Sequence, residues 1–136
     1  MNSNLKKLNI FIWFLVIIFN KLNAQPPKMV LPIGHTSNIR TVDISPDGKL
    51  IVTASYDHTA KLWDAQTGFL LADLNAHQGS LELAIFSPDG MQILTAADDN
   101  LAILWDVKTG RLIRKFIGHT SSVISAKFRY DGKRII

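Results

Sequence analysis

Hydrophobic and polar residues alternate in short bursts along most of this chain. "NIRTVDIS" (Asn38–Ser45) sets Ile39, Thr41 and Asp43 against Arg40, Val42 and Ile44, the period-two pattern of a half-buried strand. "LIVTAS" (Leu50–Ser55) is β-branched and almost wholly apolar, as expected of a buried strand. "AKLWD" (Ala60–Asp64) alternates again, and "FLLADL" (Phe69–Leu74) supplies a fourth short run. Between the runs lie "SPDGK", "YDHT" and "AQTG". These are turn chemistries: proline presets φ, aspartate bonds nearby backbone, and glycine accepts positive φ. No stretch keeps a helical period. Four strands with turn signals every 8–12 residues predict an antiparallel meander.

The same pattern then comes again. "KLWDAQTG" (Lys61–Gly68) is followed 42 residues later by "ILWDVKTG" (Ile103–Gly110). "SPDG" stands at Ser45–Gly48 and at Ser87–Gly90, with "YDG" at Tyr130–Gly132 as a weaker third copy, and a small residue precedes His35, His77 and His119 at the same step. Aligned without gaps, residues 34–75 and 76–117 share 16 of 42 positions. Such self-similarity marks a repeat architecture, in which each unit buries its apolar face against a neighbour.

A unit of this length, with four strands and a "GH … WD" signature, resembles the WD-repeat β-propeller family. "GHTSNIRTVDISPDGKLIVTASYDHTAKLWD" carries the resemblance, which extends over residues 28–136. It implies an all-β fold: blades of four antiparallel strands, two complete (34–75 and 76–117) and part of a third (118–136). "SVISAKFRYDGKRII" is expected to form the first strand of that third blade and the start of its second. Residues 25–33, containing "KMVLPI" (Lys28–Ile33), align with the fourth strands and are expected to complete the last blade of a closed ring. A chain ending inside a strand reads as the N-terminal part of a longer protein. Another propeller class rich in "SPDG" turns lacks the Trp-Asp at the end of the third strand, which both units here possess.

The resemblance also implies a hydrogen-bonded chain inside each blade. In the first it would comprise His35, Thr53, Asp57 and Trp63, and in the second His77, Thr95, Asp99 and Trp105. Ser55 is an alternative to Thr53, but the second unit has Ala97 at that position. A buried indole N–H needs an acceptor, and a threonine hydroxyl can accept it while donating onward to imidazole. Trp63 is expected to be largely buried, covering roughly 150–250 Å². His, Asp and Thr together are also the components of an acyl-transfer triad. Their recurrence beside a Trp in each unit argues for structure, and no "GxSxG" elbow is present. No catalytic, metal or cofactor site is therefore expected.

Partners are expected to be proteins or peptides docking on turn residues near the strand ends: Asn38, Arg40, Tyr56 and His58, then Ser80, Glu82, Asp98 and Asn100. The alternative is the propeller portion of a longer exported enzyme, such as a peptidase, with catalysis outside residues 1–136.

Residues 1–24 differ in kind. Lys6 and Lys7 precede an apolar run from Leu8 to Phe19, then polar "NKLNA". This is the layout of a secretory signal cleaved after Ala24, giving a secreted or periplasmic protein. The apolar run is short of the roughly 20 residues that span a bilayer, although an uncleaved anchor is the alternative. The leader also distorts the charge. Of 15 Lys and Arg, three lie within it, leaving 12 against 11 acids. The remainder is nearly neutral, which argues against nucleic-acid binding. Cysteine is absent, so disulfides, thiol catalysis and cysteine-ligated zinc are excluded.

Overall fold

A computed structural model of the protein describes residues 34–136. The expected signal at 1–24 and outer strand at 25–33 lie outside the described residues.

Among the described residues, eight strands form two four-stranded antiparallel sheets. The first contains β1 (Ile39–Ile44), β2 (Leu50–Ser55), β3 (Ala60–Asp64) and β4 (Leu70–Leu74), in that order. The second contains β5 (Leu81–Phe86), β6 (Gln92–Ala97), β7 (Ala102–Asp106) and β8 (Leu112–Phe116). The alternation in the sequence locates every strand of the first sheet to within a residue or so.

The turns follow their chemistry. In the first sheet the Ser45 hydroxyl donates to Asp47 Oδ1 at 2.6 Å, and the Leu50 amide donates back to Ser45 Oγ at 2.9 Å. Gly48 closes the turn with φ 73° and donates to the Ser45 carbonyl. Ser87, Asp89 and Gly90 repeat this geometry in the second sheet.

One apolar core joins the sheets. Val52, Ala54, Leu62 and Leu74 of the first pack against Leu81, Phe86, Ile93, Ile103 and Trp105 of the second. The innermost strands are pinned as well. The Ala84 amide donates to Thr41 Oγ1 at 3.1 Å, and the Phe86 amide to Asp43 Oδ2 at 2.8 Å. Thr41 and Asp43 thus point toward the second sheet, while Val42 and Ile44 remain exposed on the opposite face.

Residues 118–136 differ from expectation. They form no regular strand. Phe128 and Ile135 make an isolated antiparallel bridge, and Lys127 and Ile136 exchange backbone hydrogen bonds across it. Val123 and Ala126 pack on Leu94, Ala96 and Ala102. A cavity of about 610 Å³ opens there, lined by Leu104, Phe116, Val123 and Phe128 among others. A chemical difference accompanies the difference in order. One repeat on from Thr41 and Asp43 stand Leu83 and Ile85, which carry no acceptor for the amides of this segment.

Candidate functional site

Each sheet carries a connected polar chain in its interior. In the first, Trp63 Nε1–H donates to Thr53 Oγ1 at 2.9 Å. His35 Nε2 lies 2.7 Å from the same hydroxyl, and His35 Nδ1 lies 2.9 Å from Asp57 Oδ2. With Asp57 accepting at Nδ1–H, Nε2 is left to accept the Thr53 proton. In the second sheet Trp105 donates to Thr95 at 2.9 Å, His77 Nε2 is 2.8 Å from Thr95, and His77 Nδ1 is 2.9 Å from Asp99 Oδ2. Ser55 stands outside the relay: its hydroxyl donates to the Ser37 carbonyl and accepts the Asp57 amide.

The local folding that assembles this chain is simple. Thr53 and Thr95 sit mid-strand on β2 and β6, and Trp63 and Trp105 on the neighbouring β3 and β7, on the same sheet faces. The histidines come from the loop preceding each sheet. The aspartates occupy the turn after β2 or β6 and clamp that loop. Asp57 also accepts the amides of Thr36 and Thr59, and Asp99 those of Gln78 and Leu101. Sequence reasoning missed Thr59, whose hydroxyl adds a 2.7 Å bond to Asp57. The second sheet has Leu101 there. It has tighter backbone packing instead: a Cβ on Gly79 would come 2.6 Å from the Asp99 amide nitrogen.

The expected burial of Trp63 needs correction. Trp105 is 3% exposed, whereas Trp63 is only partly buried. Trp105 faces the first sheet and joins the shared core. Trp63 occupies the equivalent place on the face of the first sheet turned away from the second. That face also bears the exposed Val42 and Ile44 and a Lys61–Asp73 ion pair at 2.8 Å.

Charge within the chain follows from this environment. Burial lowers the affinity of the His77 imidazole for a proton, more than neighbouring Asp99 restores it. At Asp57, burial works to raise the carboxyl, but the Thr59 hydroxyl, the Thr36 amide and His35 outweigh it and hold Asp57 well below the usual carboxylate range. Asp99 is likewise lowered: burial opposes, and the Gln78 amide and His77 prevail.

All three groups bind protons more weakly folded than unfolded. The unfolded state therefore takes up more protons as the pH falls, and stability falls with it. The loss is expected to begin below the ordinary histidine value of 6.5 and to steepen as the pH passes below the ordinary aspartate value of 3.8. Thermal melts between pH 7.5 and pH 3 should show a falling midpoint. A midpoint that rose on acidification would contradict the network.

The remaining candidate residues lie at the end of the sheets where the histidine loops and the β2–β3 and β6–β7 turns meet. Asn38 accepts the Tyr56 amide through its carbonyl, and Ser80 does the same for Asp98. His58 and Asn100 hold positive φ, 71° and 65°, at the same position of the two turns. Arg40 and Glu82 are not independent surface groups: Arg40 Nε donates to Glu82 Oε2 at 2.9 Å. They stand one repeat apart with opposite charge, but the sequence reading did not pair them.

Among the described residues, no group of three His, Cys, Asp or Glu could hold a metal ion. Nor, among them, is any helix long and apolar enough to cross a membrane.

Comparison with known proteins adds the relatives. The family profile described as "WD domain, G-beta repeat" matches residues 26–64 and 68–106. Each match ends at the Trp-Asp pair, so the second takes β4 from one sheet and β5–β7 from the next. A probable cytosolic iron-sulfur protein assembly protein Ciao1 from Culex quinquefasciatus is 48% identical over 42 residues, 31% of this chain and 12% of that protein. Ribosome assembly protein 4 from Saccharomyces cerevisiae is 36% identical over 55 residues, 40% of this chain and 10% of its own length. MST50-interacting protein 11 from Pyricularia oryzae is 49% identical over 45 residues, 33% and 14% of the two chains. The matched part is about a tenth of the length of these relatives.

Proposed function

The chain belongs to the WD-repeat family, and from that premise we propose that it is a non-enzymatic scaffold on which protein or peptide partners dock. The docking surface is the end that carries Asn38, Arg40, Tyr56, His58, Ser80, Glu82, Asp98 and Asn100. The observation that carries this reading is the matched pair of non-glycine residues in left-handed conformation, His58 and Asn100. Such backbone is costly for a side chain and persists where surrounding structure enforces it. Here the enforcing groups are Asp57 and Asp99, which tie each turn to the preceding histidine loop. The result is a rigid frame presenting variable side chains, which favours binding because little loop entropy is lost on contact.

A hydrolytic role fits the geometry poorly. Thr53 and Thr95 accept an indole N–H and are buried, so neither hydroxyl faces a substrate. Photo-cross-linking residues placed at positions 58 and 100 of the full chain, in the producing cell, are expected to yield protein adducts. The same residues at positions 66 and 108, at the opposite end of the sheets, should yield few. Equal or stronger adducts at 66 and 108 would sink the assignment.

We also propose export, directed by residues 1–24, on the strength of their charged, apolar and polar order. Intact-mass measurement of the exported protein should then give an N-terminus at Gln25. A full-length mass in the membrane fraction would replace this with an anchor.

A further inference from the structure

An Asp-Gly pair closes the same turn in each repeat, at Asp47 and Gly48, Asp89 and Gly90, and Asp131 and Gly132. In all three the glycine has positive φ, 73°, 72° and 67°, and donates its amide back across the turn. All three aspartates are exposed, so access to water does not separate them. Their hydrogen bonding does.

In the first turn Asp47 Oδ1 accepts the Ser45 hydroxyl and the Lys49 amide, and Ser45 Oγ in turn accepts the Leu50 amide. Ser87, Asp89, Met91 and Gln92 repeat this clamp. The serine hydroxyl first, and then the Lys49 or Met91 amide, hold both carboxyls below the usual carboxylate range. Pro46 and Pro88 also fix φ just ahead of these two aspartates.

The third turn has neither device. Arg129 stands where the serines stand, and Tyr130 where the prolines stand. Asp131 Oδ1 accepts the Lys133 amide, but among the described residues no hydroxyl reaches it. The Arg134 amide, equivalent to that of Leu50, has no side-chain acceptor among them either. Arg129 is no substitute. Its Nε lies 3.8 Å from Asp131 Oδ2, beyond hydrogen-bond reach and in an exposed pair. The turn joins only the isolated Phe128–Ile135 bridge, not two regular strands.

An Asp-Gly peptide is the least hindered place for a main-chain amide to attack a side-chain carboxyl, because glycine has no Cβ. The reaction needs a protonated carboxyl that can swing onto the following nitrogen. A clamped, ionised carboxylate does neither.

We propose that Asp131 is a site of spontaneous isomerisation to isoaspartate through a succinimide, while the serine clamps protect Asp47 and Asp89. The Gly132 amide nitrogen attacks Asp131 Cγ, and the carboxyl hydroxyl leaves with the amide proton as water. Water then adds to the main-chain carbonyl carbon of Asp131, and the bond from that carbon to the Gly132 nitrogen breaks. No oxidant or cofactor enters. The chain thereafter runs through Cγ, one methylene longer, and the freed main-chain carboxylate becomes a side group. The lengthened turn no longer fits the Arg129 to Arg134 hydrogen bond, so the Phe128–Ile135 bridge opens.

The test is ageing of the full chain at mildly acidic pH and physiological temperature, in water enriched in heavy oxygen. Proteolytic peptides are then read by electron-transfer fragmentation, which separates aspartyl from isoaspartyl. Asp131 is expected to convert about tenfold or more faster than Asp47 or Asp89, because the others must first open hydrogen bonds that the third turn lacks. The product should carry one heavy oxygen. Ser45→Ala should speed conversion of Asp47, and Arg129→Ser combined with Tyr130→Pro should slow that of Asp131. In urea the clamps are gone, and the spread between the three sites should shrink to a small factor. Conversion of Asp131 no faster than that of Asp47 or Asp89, no isoaspartate there at all, or a product without heavy oxygen would each overturn the proposal. So would an undiminished spread in urea, since that would place the cause in the neighbouring residue types and not in the folded turn.

Discussion

Trp105→Ala is expected to destabilise the protein by about 3–5 kcal/mol, the range for truncating a buried aromatic. Trp63→Ala should cost clearly less, although the two residues hold the same repeat position. Trp105 lies between the sheets among Val52, Leu62, Leu81, Ile93 and Ile103. Its removal opens a cavity with walls on both sides, which strands cannot easily collapse. Trp63 is only partly buried, so water and neighbouring side chains relax into the space it leaves. Urea unfolding of the full chain and of each variant gives both numbers. Equal losses would mean that the two sheet faces are covered alike, contrary to the packing described.

Thr95→Val is the second large effect, at about 2–6 kcal/mol. The change conserves shape and removes one hydroxyl. That hydroxyl accepts the Trp105 indole N–H and lies against His77 Nε2. Without it, a buried donor and a buried acceptor both lose their partner, at roughly 1–3 kcal/mol each. Thr95→Ser should restore most of the stability, because serine keeps the oxygen. Thr53→Val should cost less than Thr95→Val, since Trp63 is only partly buried whereas Trp105 is enclosed. A domain at the lower end of the usual 5–15 kcal/mol would survive Thr95→Val only narrowly, so a loss of cooperativity in that variant also counts as the expected direction. Full stability in Thr95→Val would mean the relay contributes nothing.

Much of this was legible along the chain. The alternation at Asn38–Ser45 and the apolar run at Leu50–Ser55 locate strands, because burial on one or both sheet faces imposes those patterns. Ser45, Asp47 and Gly48 form their turn by contacts within six residues. Such short-range chemistry needs no knowledge of the rest of the fold. The spacing of 42 residues then ties His77, Thr95, Asp99 and Trp105 to their counterparts in the first repeat. Less legible was Thr59, a turn residue whose hydroxyl reaches Asp57 only because the turn folds back on the histidine loop.

By itself, then, the sequence determined the repeat, the strands and the turns, since these rest on local periodicity or local hydrogen bonding, while the residues of each polar relay came from the resemblance to the WD-repeat family. Only the tertiary structure decided which copy of a repeated residue is buried. Trp63 and Trp105 are equivalent in sequence, and they differ because, among the described residues, the face that bears Trp105 meets the first sheet whereas the face that bears Trp63 is turned away from the second. It also decided that Arg40 and Glu82 meet. Two bulges had to lift them from register, and the two sheets had to stand side by side, before opposite charges 42 residues apart could come within 2.9 Å. Contacts between repeats depend on packing across the chain, and no short stretch of sequence carries them.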